Sequence, residues 1–319
     1  MSKTDKTTAG TEAPAEVAPR LRDLGQTIGA PDFILPWLDR FYDEDDVELV
    51  LTAAAGDTSA AAPHRLERAY RRAVLDRNEA GAYAPADLHT RLEFWAMFEG
   101  WKDVPLAIHR QLADWDVGHY TETIRTDVES ACDGRPNDSY AAKYSYVLLP
   151  EAESILHAQE HIYLWPCDCR AIVGKCRKPK DVCLRFDNDR GVGWEISTER
   201  AVQILHTTDK AGLMHTSDYA GDPGAATSIC NCCTDCCYPH LAGERLAMGD
   251  VWPVRRHVAS IDLDACKKCG RCALRCPFDA IDGRHDGRPE LTPEKCRGCG
   301  LCQTGCSADA IGLLPVTRL

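Results

Sequence analysis

Cys266-Lys-Lys-Cys269-Gly-Arg-Cys272-Ala-Leu-Arg-Cys276-Pro277 returns thirty residues later as Cys296-Arg-Gly-Cys299-Gly-Leu-Cys302-Gln-Thr-Gly-Cys306-Ser307. The correspondence outlasts the cysteines. Asp279-Ala280-Ile281 comes back as Asp309-Ala310-Ile311, so the stretch holds two copies of one structural unit. Each copy carries three thiols on a tight loop and a fourth one turn later. Three thiolates so placed grip three corners of one cuboidal iron–sulfur cluster, and the fourth is carried to the other cube. Gly270, Gly298 and Gly300 fall where backbone amides must approach cluster sulfurs and a Cβ would intrude. Two closed zinc sites of four thiolates each would need a different spacing.

The run resembles the two-cluster ferredoxins of bacterial type. That resemblance implies a ferredoxin domain over residues 256–319 holding two [4Fe–4S] clusters: cluster I on Cys266, Cys269, Cys272 and Cys306, cluster II on Cys296, Cys299, Cys302 and Cys276. One departure stands out. Ser307 follows the last cysteine where the first run has Pro277, a change that would alter the backbone at that corner without removing a ligand.

Upstream lies a second concentration of sulfur. Of the eighteen cysteines, nine fall between Cys167 and Cys237, and only Cys132, read as a buried or free thiol, precedes them. They are Cys167, Cys169, Cys176 and Cys183, then Cys230, Cys232, Cys233, Cys236 and Cys237. Ser197 as N-cap, Glu199 in the first turn, Ala201, Ile204 and Leu205 on one face and Gly212 beyond the end predict a helix over 197–211 that brings the two groups together. Lys175, Arg177, Lys178, Lys180 and Arg185 surround the first group, and cations there would favour thiolates. Three readings stay open: one or two further iron–sulfur clusters, a zinc site of four thiolates, or a redox dithiol using the neighbours Cys232–Cys233 or Cys236–Cys237. Asp168, Arg170 and Asn231 are candidates to support the ligands from behind.

Here the chain is similar to a family of bacterial and archaeal iron–sulfur proteins, mostly of unassigned function. The similarity rests on Cys167-Asp-Cys169-Arg170, Cys176, Cys183, Gly212-Leu213-Met214-His215 and Cys230-Asn231-Cys232-Cys233 ahead of the paired runs. It implies electron transfer and no particular substrate.

The first half is different in kind. Residues 1–160 carry 16 Lys and Arg against 29 Asp and Glu, net −13, whereas 161–260 carry 12 against 12 and 261–319 carry 9 against 8. Bound clusters are anionic, and the cysteine-rich parts are the ones without excess negative charge. Residues 1–20 read as a disordered tail. Leu66, Tyr70, Ala73 and Val74, then Leu88, Leu92, Trp95 and Ala96, then Ile108, Leu112 and Trp115 keep helical spacing. Asp43–Asp46 reads as a solvated helix start. His157-Ala-Gln-Glu160-His161 spells a zinc-peptidase pattern, but no third ligand is nominated, and a plain helix leading into the cysteine region is the reading adopted.

The fold expected is therefore an α+β multidomain chain. It comprises a helical domain over 21–150, whose short helices and turns suit a winged-helix-like arrangement, a cysteine-rich region over 151–255, and the ferredoxin domain over 256–319. A net −13 argues against nucleic acid as partner. No apolar run of about eighteen residues and no secretory signal is found, so a cytoplasmic protein without membrane insertion is expected. Neither a dinucleotide fingerprint nor a phosphate loop is present. The function expected is a multi-cluster electron carrier working with a partner oxidoreductase. A reductase with a catalytic cluster or dithiol in the middle region is the alternative, and a redox sensor the third.

Overall fold

A computed structural model describes residues 17–101, 103–135, 138–283 and 286–316. Two compact units result. The first takes the described residues up to Asp116 with Ala171–Val173; the second takes Val117–Arg170 and the chain from Gly174 onward. Residues 1–16 of the expected tail lie outside the described residues, and Pro19 and Arg20 already belong to a helix.

The first unit runs α1 (Pro19–Thr27), a 3-10 segment (Asp32–Arg40), α2 (Glu44–Ala54), α3 (Pro63–Arg71), a hairpin of β1 (Leu75–Arg77) and β2 (Tyr83–Pro85), α4 (Leu88–Phe98) and the start of α5 (Leu106–Cys132). Its core is built from the residues the periodicity selects, with Leu66, Tyr70, Leu88, Leu92, Trp95 and Leu112 all buried. Phe41 and Trp95 pack at a tilt and both meet Trp101 edge-on, Trp95 and Trp101 lying 4.9 Å apart. Ala73 is buried as expected but has φ +54, so it turns the chain out of α3 instead of extending it.

Asp43–Asp46 does start a helix, as a capping box in which the Asp43 side chain accepts from Asp46 N and the Asp46 side chain from Asp43 N. It is not wholly solvated. Asp46 is buried and receives Arg72 Nη1 at 2.7 Å, and Arg72 also reaches Glu99. Fully buried Arg91 completes the network, donating to Glu99, the Phe41 carbonyl and the Arg72 carbonyl. A buried guanidinium persists only when its donors are matched this fully.

The second unit contains, in order, α6 (Tyr140–Lys143), β3 (Ser145–Val147), α7 (Leu149–His157), β4 (Tyr163–Pro166), α8 (Asp168–Val173, whose last turn belongs to the first unit), β5 (Asp181–Arg185), β6 (Trp194–Glu195), α9 (Thr198–Lys210), β7 (Met214–Ser217) and β8 (Ser228–Cys232). The strands make one antiparallel sheet in the order β3-β7-β8-β5-β4-β6. Helix α9 is the one predicted: Ser197 accepts from Arg200 N, and Gly212 follows the helix with φ +73. The peptidase-like motif is dismantled by the fold, because α7 ends at His157 and His161 lies beyond it, bonded to Glu195 at 2.8 Å.

After α10 (Tyr238–Arg245) come β9 (His257–Ile261), α11 (Arg271–Arg275), the hairpin β10 (Ile281–Gly283) and β11 (Pro289–Leu291), α12 (Leu301–Thr304) and β12 (Ile311–Pro315), which pairs with β9. The thirty-residue repeat is written into the backbone. Lys268 and Gly298 have φ +55 and +68, Gly270 and Gly300 +71 and +81, and Asp279 and Asp309 both +49. The corner carrying Ser307 thus keeps the backbone of the corner carrying Pro277 at this position. A Cβ on Gly298 would collide with the His257 carbonyl, so glycine is required there by both φ and space.

His89 supplies a pH test of the first unit. Burial pulls its pKa down, but the bond to Asp116 at 2.8 Å and the nearby Glu93, Asp116 and Asp87 charges outweigh burial and raise it to about 9. A raised native pKa gives stability that is complete below the unfolded value near 6.5 and is lost as pH rises through about 9, worth roughly 3 kcal/mol. Urea melts followed by tryptophan fluorescence should show that loss between pH 6.5 and 9.5 in the wild type and a flat profile in His89→Gln.

Candidate metal and cluster sites

The two cysteine runs close around two cavities. One is lined by Cys266, Cys269, Cys272 and Cys306 and the other by Cys276, Cys296, Cys299 and Cys302, so the fourth thiol of each run crosses to the other's cavity. The first is walled by Ile261, Ile311, Pro289 and Ala310 and the second by Phe278, Ile281, Leu301 and Leu313. Backbone N–H groups aim at the sulfurs: Lys268 N donates to Cys266 Sγ at 3.3 Å, Ala280 N to Cys276 Sγ at 3.3 Å and Ala259 N to Cys296 Sγ at 3.5 Å. Four thiols around an apolar hollow, met by amide donors, fit a cuboidal cluster. Burial pushes the Cys302 thiol up to about 12 and Cys299 up as well, so thiolates here need a metal to stabilise their charge.

The two cavities differ in exposure. Around the first, Cys269, Lys267, Lys268 and Arg271 are exposed and Leu274 is 88% exposed. The second is covered. Arg255 donates to the Pro293 and Cys296 carbonyls, while Arg275 bonds the Leu301 carbonyl and Asp209 at the end of α9.

Upstream, the sheet gathers six thiols. Strand periodicity puts Cys230 and Cys232 on one face of β8 and Asn231 on the other. One position beyond the Leu184–Ile229 pair, Cys183 of β5 meets Cys230. Cys167 and Cys169, where β4 gives way to α8, and Cys237, preceding α10, close the ring. Contacts run from Cys169 to Cys167, Cys183, Cys230, Cys232 and Cys237 in turn. Tyr238 N donates to Cys169 Sγ at 3.4 Å, and the Thr216 hydroxyl lies 3.2 Å from Cys232 Sγ. Hydrogen bonds from Cys169 and Cys183, with Arg170's charge, hold Cys167 well below the usual thiol range against the opposing effect of burial. Bonds from Cys183 and Cys232, helped by Arg185, do the same for Cys230.

The remaining three, Cys176, Cys233 and Cys236, stand apart from the ring. Their sulfurs all lie within 4.8 Å of one another, and a bond from Cys236, with Arg170 beside it, brings Cys233 down to about 5 despite burial. The adjacent pairs singled out as possible dithiols are therefore split: Cys232 and Cys237 face the ring, Cys233 and Cys236 the triad. Cys132 is exposed.

Each of the three supporting residues has a place. Arg170 donates to the Pro179 carbonyl at 2.6 Å and to the Asn231 carbonyl. Asn231 accepts from Thr208 at 2.9 Å and His215 Nδ1 at 2.7 Å and donates to the Val182 carbonyl at 2.5 Å. Asp168 accepts from Cys169 N and faces the charge of Arg185. Of the five cations expected around the first group, Arg185 acts on the thiols, whereas Lys178 bonds the Ala211 and Gly212 carbonyls.

Sequence reasoning missed what lies between the ring and the second cavity. Tyr146, Met214, Cys232, Cys237 and Leu301 form one buried cluster, with Cys230, Phe278 and Cys299 against it. Nothing local in Tyr146 or Leu301 marks them; only the register of β3 on β7 brings Tyr146 there.

Residues 259–313 match the family model of the 4Fe-4S dicluster domain. No curated protein matches the chain. The C-terminal part is thus an iron–sulfur domain of the electron-transfer type, joined to a cysteine-rich region. Among the described residues no helix is long and apolar enough to cross a membrane.

Replacing Asn231 by Ala would strand His215 Nδ1 and the Val182 carbonyl in a buried site, whereas Thr208 keeps the Ile204 and Leu205 carbonyls. At about 1–3 kcal/mol for each unsatisfied group, a loss of about 2 kcal/mol or more is expected in a denaturant melt.

Proposed function

We propose that this protein is a multi-cluster electron carrier that exchanges electrons with a separate oxidoreductase. Cluster I is assigned to Cys266, Cys269, Cys272 and Cys306, cluster II to Cys296, Cys299, Cys302 and Cys276, and a further iron–sulfur centre to the six-thiol ring. Bound clusters of this kind supply one-electron transfer without bond-making by the protein. The observation that carries the reading is the packed wall of Tyr146, Leu301 and Phe278, with ring thiols Cys232 and Cys237 on one side and Cys299 on the other.

The residues divide the labour. The exposed loop of Cys269, Lys267, Lys268 and Arg271 is the port, suited by its charge to an acidic patch on the partner. The amide donors on Cys266, Cys276 and Cys296 stabilise thiolate charge, and Arg170 and Arg185 offset that of the ring. The similarity to iron–sulfur proteins with the same upstream cysteine pattern agrees with this reading. The helix-helix-helix-hairpin order of the first unit supports a winged-helix-like domain within 21–150, but its acidity suits a protein contact better than DNA. A cytoplasmic setting, and division of the remainder at about residue 255, complete the proposal.

Iron and acid-labile sulfide per chain test it directly. Anaerobically purified protein should hold about 12 or more iron atoms; about eight would confine iron to the ferredoxin domain and overturn the third centre.

A further inference from the structure

We propose that Cys176, Cys233 and Cys236 form a mononuclear, zinc-class metal site of three thiolates whose fourth position is open to a small sulfur donor. The spacing fits this chemistry. Two thiolates 2.3 Å from a tetrahedral zinc lie about 3.8 Å apart, and Cys176 Sγ and Cys233 Sγ are 3.8 Å apart, with all three sulfurs mutually within 4.8 Å. In the same molecule neither ferredoxin tetrad places three sulfurs that close, because its thiols are spread round a cavity. The triad is therefore collapsed to the scale of one ion, whereas the tetrads are spread to the scale of a cube.

Two features make the site open. Among the described residues, no fourth His, Cys, Asp or Glu joins the triad. Cys233 and Cys236 are buried while Cys176 is half-buried, so access lies on the Cys176 side. Three protein ligands with a vacant position is the pattern of reactive zinc sites, four that of structural ones.

Arg170 indicates what enters. It is 2% exposed, with Nη1 and Nη2 fixed by carbonyls, while Nε is buried without an oxygen or nitrogen partner and the guanidinium lies against Cys233. A divalent ion on three thiolates carries net −1, and Arg170, whose charge also faces the ring thiols Cys167 and Cys232, turns its Nε N–H toward an anionic site. Soft thiolate surroundings favour sulfur for that donor, a thiol or sulfide. The inference shares with the proposed function the premise that the middle cysteines bind metal, but it does not need iron in the ring.

Zinc-edge X-ray absorption on the full chain, purified anaerobically without added thiol, together with zinc and iron per chain, tests it. About one zinc is expected, with three sulfurs and one light atom, and excess 2-mercaptoethanol should convert the light atom to a fourth sulfur. Cys176→Ser should cut zinc at least tenfold with iron unchanged, and Cys132→Ser should change neither. Four sulfurs before thiol is added, or absence of zinc with iron lost in Cys176→Ser, would overturn the assignment. About eight iron atoms with the zinc result intact would leave this site standing and remove only the third cluster.

Discussion

Buried thiolates repel one another and resent low dielectric, and the second unit is organised around that difficulty. Six sulfurs in one ring and three beside it cannot all ionise unless positive charge is supplied. The protein itself offers two buried or half-buried arginines, Arg170 and Arg185, and ionising the remaining thiols would require a metal. The same requirement shapes the polar scaffold. Arg170 is pinned by two carbonyls, one of them that of Asn231. Asn231 is in turn fixed by Thr208 on α9, His215 on β7 and the Val182 carbonyl on β5. One buried amide thus ties three elements and the guanidinium that faces the sulfurs.

From this follows an ordering from surface to interior. The first ferredoxin cavity is the exposed one, the second is wedged against α9 by Arg275 and against the sheet by Tyr146 and Leu301, and the ring lies behind that wall. On the proposed reading this arrangement would give electrons a short covered route through packed side chains, and it leaves the triad with its own approach through the half-buried Cys176. The acidic first unit holds its core by means independent of sulfur: the aromatic group around Trp95 and the Asp46, Arg72, Glu99 and Arg91 network.

The parts of this that local sequence could reveal are those where residue identity and spacing are themselves the chemistry. The paired runs from Cys266 and Cys296 dictate which thiols share a cavity, and Ser197 with Gly212 bounds α9. Helical periodicity found the buried faces of α3 and α4 but not the turn at Ala73, where a positive φ overrides the pattern. The division of the middle cysteines was out of reach, since Cys232 and Cys233 are neighbours in the chain yet face different groups. That separation is set by where β8 ends and by which strand lies beside it. Alternation in Cys230-Asn231-Cys232 was the one available clue to the ring. Asp46 misled because an acidic run normally stays in water, and its partner Arg72 arrives from another helix turn.

The central claim is that the ring and the second ferredoxin site form adjoining redox centres across Tyr146, Leu301 and Phe278. Low-temperature EPR of the fully reduced protein, with microwave power saturation, measures this most directly. The account predicts a signal beyond the ferredoxin pair that broadens and relaxes faster when cluster II is reduced, and that loses this coupling in Cys299→Ser. A spectrum accounted for by the two ferredoxin clusters alone, or a third signal indifferent to the state of cluster II, would contradict it.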